Sequence, residues 1–343
     1  MQNATAITED RVGTVSNLSE TICKITGARA VELGEEIQSL WSGYGVIQRA
    51  RLIGAEREEV VIKHIDLSSA RENRRGWGGD VSHQRKVRSY QVETTFYEAF
   101  ALQCDEHCRV PKLIAAHEIE DQGGRILVLE DLDSAGFSSR KHDVTEAELR
   151  ACLSWVANFH ATFLNSDASG LWPIGTYWHL DTRPDELAAM QDGPLKEFAA
   201  EIDRRLNQTQ FQTLVHGDAK VANFCFSHLD DEGKVAAVDF QYVGRGCGMK
   251  DVAYFISSCL SEEEAAQQQE SLLSFYFERL QESLAIRHIG FDFSALEQEW
   301  RELYPFAWAD FCRFLSGWSP GHWKLNTYSD RITRSVIDQL LSS

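Results

Sequence analysis

The chain has 343 residues, 43% hydrophobic and 25% charged, with 34 Lys and Arg against 52 Asp and Glu. That length is enough for two lobes with sizeable cores, and a net charge of −18 argues against a nucleic-acid partner. No apolar run reaches the roughly 20 residues needed to span a bilayer. The start MQNATAITEDRV is not a secretory signal, and the eight cysteines have no framework spacing, so a cytoplasmic protein with reduced thiols is expected.

A short helix around Leu18–Ile25 opens the chain. Strands are expected at Glu36–Trp41, Val46–Gly54 and Glu59–Ile65. The turn Gly43-Tyr44-Gly45 between the first two can bring backbone N–H groups to phosphate oxygens. GxxxxGK[ST] occurs nowhere, so a P-loop fold is not expected. Lys63 stands inside the apolar run VVIKHI, where an ammonium needs a partner or an open edge. Two basic clusters, Arg71–Arg75 and Arg85–Arg88, stand out from the acidic background. In YQVETTFYEAF the residues Val92, Phe96, Tyr97 and Phe100 follow helical spacing and carry Glu93 and Glu98 with them. Cys104, His107 and Cys108 lack a second ligand pair and read as a packed helix end. Leu113–Ile119 and Arg125–Glu130 are two further strands, joined by a turn at Asp121–Gly124.

Thr145 to Glu148 is a capping box for a helix to about Leu164. His160 shares its apolar face with Leu149, Cys152, Leu153, Val156 and Phe163, so it reads as a hydrogen-bonded core residue. An irregular connection bearing Trp and Gly is expected at 165–185, and a helix around Glu186–Leu206. The stretch Gly244–Gly248 is too rich in glycine for regular structure. Asp251 sits at a helix start, Ser261–Glu264 begins another helix, and Ser294–Glu297 is a further capping box. Pro305 is expected to interrupt that last helix or to start its successor. Trp308, Phe311 and Leu315 share a face and read as core, whereas Trp318 and Trp323 flank the turn Ser319-Pro320-Gly321 and are freer to line a pocket. Asp310 could suit a cationic ligand, although Arg313 is close enough in helical spacing to neutralise it.

The densest chemistry lies in Leu214–Tyr242, where a short strand and a polar loop carry Asp218 and Asn223. A turn at His228–Gly233 and an apolar strand at Val235–Phe240 then return Asp239. Such a set can surround a reacting phosphate. One carboxylate would orient a hydroxyl, while the amide and the other carboxylate would hold Mg²⁺ through oxygen.

His216-Gly217-Asp218, Asn223, Phe226 and Asp239-Phe240-Gln241 resemble the HGDxxxxNxxF…D motif of the aminoglycoside phosphotransferase/choline kinase group. Ser82–Phe100 and Leu127–Phe137 bring the resemblance nearest to its ecdysteroid kinase-like branch. The resemblance implies an α+β, bilobal protein-kinase-like fold. An N-terminal lobe at 1–131 would hold ATP, and a mainly helical lobe at 132–343 would hold the catalytic loop, metal and acceptor. It implies that Lys63 reaches the phosphates and pairs with Glu93, and that the backbone of Glu130, Asp131 and Leu132 meets the adenine. Asp218 would accept the proton of the acceptor hydroxyl, Asn223 and Asp239 would hold Mg²⁺, and Asp251 would steady the loop. The expected partner is a small-molecule alcohol, with apolar character suggested by the tryptophans. A cationic acceptor of choline or aminoglycoside type, or an inactive nucleotide-binding regulator, are the alternatives, and the oligomeric state is open.

Overall fold

The computed structural model describes residues 17–40, 43–67, 80–119, 124–228, 233–287 and 292–342. They form two compact units, one of Met1–Tyr90 with Pro111–Gly136 and one of Gln91–Val110 with Phe137–Ser343. Residues 91–110 thus group with the helical unit. The basic run Arg71–Arg75 lies outside the described residues, as do most of the turns expected at Asp121–Gly124 and His228–Gly233.

The first unit holds a helix at 17–26 (α1) and an antiparallel sheet of five strands. The strands are β1 (Ala30–Ser39), β2 (Gly45–Ile53), β3 (Glu59–Ile65), β4 (Leu113–Ile119) and β5 (Gly124–Glu130), in the order β1-β2-β3-β5-β4. On one face Val60 and Ile62 of β3 meet Leu52, Ile126, Val128 and the α1 residues Leu18 and Ile22. Lys63 points to the other face with Ile65, where Leu40, Tyr44 and Tyr90 form a second cluster. The structure begins β1 at Ala30 rather than Glu36. AVELGEEIQS is a polar, largely exposed edge strand whose register shifts between Leu33 and Gln38, so it shows no clean alternation in sequence. Helix α2 follows at Asp80–Thr95.

In the second unit α3 (Glu146–Thr162) and α8 (Glu262–Ile286) start at the expected capping boxes, with Thr145 and Ser261 as caps. Beside them lie α7 (Met249–Cys259), α9 (Phe293–Trp318) and α10 (Thr327–Leu341). The single helix expected over 186–206 is instead three, α4 (Pro184–Ala189), α5 (Pro194–Glu197) and α6 (Ala199–Asn207). Pro194 lacks the N–H that would continue a helix, and it starts α5 as Pro184 starts α4. α9 is capped by Asp292, which accepts from the Ala295 N–H at 3.1 Å, not by Ser294. It also runs through Pro305 without a break.

Two small ladders complete the unit, β6 (Thr213–Val215) with β9 (Gly244–Gly246) and β7 (Phe224–Phe226) with β8 (Val235–Ala237). Part of the glycine-rich stretch is therefore a strand. Its glycines serve close packing, since a Cβ at Gly244 would run into the backbone and side chain of Trp172.

Candidate active site

The three residues of β6 are buried, and the chain leaves them through His216, Gly217 and Asp218. Gly217 has φ +79°, and a side chain there would collide with the carbonyl of Tyr242 and the amide of Thr176. Asp251, in the first turn of α7, fixes this bend. Its carboxylate accepts from the N–H of His216 at 2.5 Å and from the N–H of Gly217 at 2.9 Å. His160 stands behind it, with Nε2 3.2 Å from Asp251 and Nδ1 2.7 Å from the Tyr276 hydroxyl. The expected structural roles of His160 and Asp251 thus have a geometry: one buried network holds the loop. His216 donates from Nε2 to Val238 O at 3.1 Å and accepts the Asp218 N–H on Nδ1 at 3.2 Å, the pattern of a neutral imidazole. Its ring packs on Phe240, which in turn stacks on Phe96 at 3.9 Å.

Asp218 is buried, and both of its oxygens are engaged. Oδ1 accepts from the Tyr254 hydroxyl at 3.0 Å. Oδ2 accepts from Lys220 Nζ at 3.0 Å and Asn223 Nδ2 at 3.1 Å, and Asn223 Nδ2 also donates to the Asp218 carbonyl at 2.8 Å. Burial raises the pKa of Asp218; Lys220 opposes the shift and Asp239 adds to it. Burial disfavours the Lys220 charge, but attraction by Asp218 and Asp239 outweighs it and the pKa rises. Asp239 follows β8 with φ +70°, a left-handed conformation that aspartate tolerates better than most side chains and that clusters at functional sites.

Sequence reasoning missed Lys220 and Tyr254. A lysine inside AKVANF was a usable signal. Tyr254 lies one helical turn after Asp251, but its reach to Asp218 depends on tertiary packing. The residues present fit a hard divalent cation. Asn223 uses its amide nitrogen for both of its hydrogen bonds, which leaves Oδ1 to a metal, and the nearby Asp239 carboxylate supplies charged oxygens.

In the sheet unit, Lys63 is buried opposite Ile47 and Leu127, with Nζ 5.9 Å from the Tyr90 ring centroid. Gly43 and Gly45 have φ of +74° and +133°, which glycine alone adopts readily. The Tyr44 ring turns inward, its hydroxyl 2.7 Å from His83 Nδ1, so any role of this turn towards a phosphate falls to backbone. The side chains of Glu130 and Asp131 are likewise occupied. Glu130 pairs with Arg57 at 2.8 Å and accepts the Lys112 N–H at 3.1 Å, while Asp131 binds Arg49 and accepts the Asp133 N–H at 2.9 Å. Leu132 is buried. In the helical unit Glu93 is buried and its field reaches Tyr97, whose hydroxyl is pushed up first by burial and then by Glu93 and Asp239.

The tryptophans of α9 and the turn after it divide as their settings predict, whereas Trp178 of the irregular connection packs in a core cluster. Trp300 and Trp308 are buried and donate to Phe211 O and Ser329 Oγ at 3.0 Å each, and Trp178 is fully buried. Trp318 and Trp323 are 54% and 58% exposed. Asp310 is sealed in the core, bound to Arg313 at 2.9 Å and to Trp178 Nε1 at 3.1 Å.

Residues 176–289 match the Ecdysteroid kinase-like family. That segment contains Asp218, Lys220, Asn223, Asp239, Asp251 and Tyr254. A comparison with curated proteins finds no match. Among solved structures, amicoumacin kinase hAmiN in complex with AMP-PNP, Ca²⁺ and Ami is similar at 13% identity. The match covers 93% of this chain and 92% of that one, with a TM-score of 0.52. A microcompartment-associated aminopropanol kinase is 13% identical over 91% and 93% of the two chains, with a TM-score of 0.51. A candidate aminoglycoside phosphotransferase from Ralstonia eutropha JMP134 gives 13%, 93% and 94%, and 0.51. The chain has the protein-kinase-like fold of the small-molecule kinases. No helix among the described residues is long and apolar enough to cross a membrane.

Proposed function

We propose that the protein transfers the γ-phosphoryl group of ATP to a hydroxyl of a small molecule, with Asp218 as the base. The observation that carries this reading is the setting of Asp218. It is a buried carboxylate of raised basicity, oriented by Tyr254 and Asn223, on a bend that Asp251 holds by two backbone bonds. A carboxylate so held can align an alcohol and take its proton as the O–P bond forms. Lys220 can neutralise phosphoryl oxygens while holding one Asp218 oxygen. Mg²⁺, held by Asn223 and Asp239, would neutralise charge on the transferred phosphates. Lys63 is assigned to the remaining phosphates with Glu93 as its counter-charge, the Gly43–Gly45 backbone to phosphate contact, and the backbone of Glu130–Leu132 to the adenine.

The acceptor is assigned an apolar body, which the exposed Trp318 and Trp323 support. A cationic acceptor anchored by Asp310 is not favoured, because that carboxylate is neutralised and enclosed. The test is phosphorus NMR of the protein with Mg·ATP and a panel of aliphatic, aromatic and amino alcohols. A new phosphomonoester resonance is expected. Tight ATP binding without transfer or hydrolysis would replace the enzyme by a nucleotide-binding regulator.

A further inference from the structure

The turn after α9 carries a cation that the proposed phosphoryl transfer leaves unused. Lys324 is half-buried, and its Nζ lies 4.8 Å from the ring centroid of Tyr254, 5.2 Å from that of Phe311 and 5.6 Å from that of Trp323. Its ammonium makes one long hydrogen bond, 3.5 Å to Ser257 Oγ, and no ion pair with a carboxylate among the described residues. The lysine is nonetheless held in place. Its N–H donates to His322 Nδ1 at 3.2 Å, and its carbonyl accepts from Ser329 Oγ at 2.7 Å, which itself accepts Trp308 Nε1 at 3.0 Å.

Tyr254 joins this lysine to the proposed base. One face of its ring meets Lys324, and its hydroxyl donates to Asp218. Beside Lys324 the rings of Trp323, His322 and Trp318 follow one another at 5.8 and 6.5 Å, and Trp318 stacks at 5.7 Å on the buried Phe314. The ring faces offset part of the cost of burying this ammonium, but they leave it with no anion of its own, so an anion that arrives with a ligand would be attracted here. Burial holds Lys324 down to about 8, with Cys259 and Asp218 attracting its charge and Lys220 repelling it. A second positive charge beside Lys220 also disfavours a cationic acceptor.

We infer that Lys324 receives an anionic group of the acceptor, so that the acceptor is a hydroxy acid, a carboxylate on an apolar body that lies along Trp323 and Trp318. This rests on the reading of Asp218 as the base for a hydroxyl. It names the substrate class and makes Lys324 the residue that selects it.

Three probes share one hydroxyl and one ring but differ in charge: para-hydroxymethylbenzoate, its methyl ester, and para-hydroxymethylbenzylamine. Their dissociation constants are measured by calorimetry and tryptophan quenching with Mg·AMP-PNP present, near neutral pH. The benzoate should bind about tenfold tighter than the ester, the scale of one charge-assisted hydrogen bond, and the amine weakest. In Lys324→Met the benzoate-to-ester preference should fall to within about threefold. An equal or reversed order in the unaltered protein, no binding of the benzoate, or a preference that survives in Lys324→Met would each overturn the inference. Transfer from ATP to the same probes is followed separately. The predicted binding order without phosphorylation would defeat the phosphotransfer reading alone, and preferred phosphorylation of the amine would defeat the hydroxy-acid assignment alone.

Discussion

Removing the Asp251 carboxylate should damage stability and turnover together, and the size of both effects follows from its contacts. The side chain is buried and accepts two backbone N–H bonds, from His216 and Gly217, besides facing His160. Asp251→Ala leaves two buried donors unpaired, at about 1–3 kcal/mol each, for a total of about 2–6 kcal/mol. For a helical unit of this size about 2 °C of melting temperature follows each kcal/mol, so a drop of about 4–12 °C is expected. Asp251→Asn keeps one acceptor oxygen and should lose about half as much. The bend carrying Asp218 would shift by part of an ångström or more, and such displacement lowers kcat on the order of 10²-fold. Scanning calorimetry with a coupled assay of ADP release reads both effects. If Asp251→Ala melted within a degree or two of the unaltered protein and turned over normally, the claim that this network holds the loop would be refuted.

Asp218→Asn should lower kcat by about 10²–10⁴ with ATP binding nearly intact. A carboxyl whose pKa is higher folded than unfolded costs stability once pH rises above that pKa, so this variant should melt no lower than the unaltered protein at neutral pH. For the same reason the acid limb of kcat/KM should lie above the pKa of a free aspartate, and a limb at or below it would contradict the base assignment. Asp239→Asn should weaken Mg²⁺-dependent nucleotide binding, read by titration with and without the metal. Lys63→Met and Glu93→Gln should be strongly non-additive in kcat/KM; effects that simply add would transfer the partner role to Glu98.

The grouping of Asp218, Asn223 and Asp239 was legible because it is local. His216 to Asn223 and Asp239 come from one strand–loop–strand run, so residue types and spacing alone place them together. The capping boxes at Thr145 and Ser261 are local too, as is the exposure of the turn-borne Trp318 and Trp323. The companions that reach Asp218 from distant elements were not legible. Tyr254 reaches it from α7, and Lys324 approaches Tyr254 from the far end of α9. Nothing in a sequence window reports such meetings. Helix limits failed where backbone chemistry competes with periodicity, as at Pro194, or where tertiary packing overrides it, as at Pro305. β1 failed because an exposed edge strand carries little pattern.

The most direct test incubates the protein with Mg²⁺, ATP labelled in the γ-phosphoryl group and a metabolite extract, and follows the label by mass spectrometry. The label should appear in a phosphomonoester of a small alcohol with the unaltered protein and be lost with Asp218→Asn. Label found only in inorganic phosphate, or transfer that persists in Asp218→Asn, would contradict the assignment of a phosphotransferase that uses Asp218 as its base.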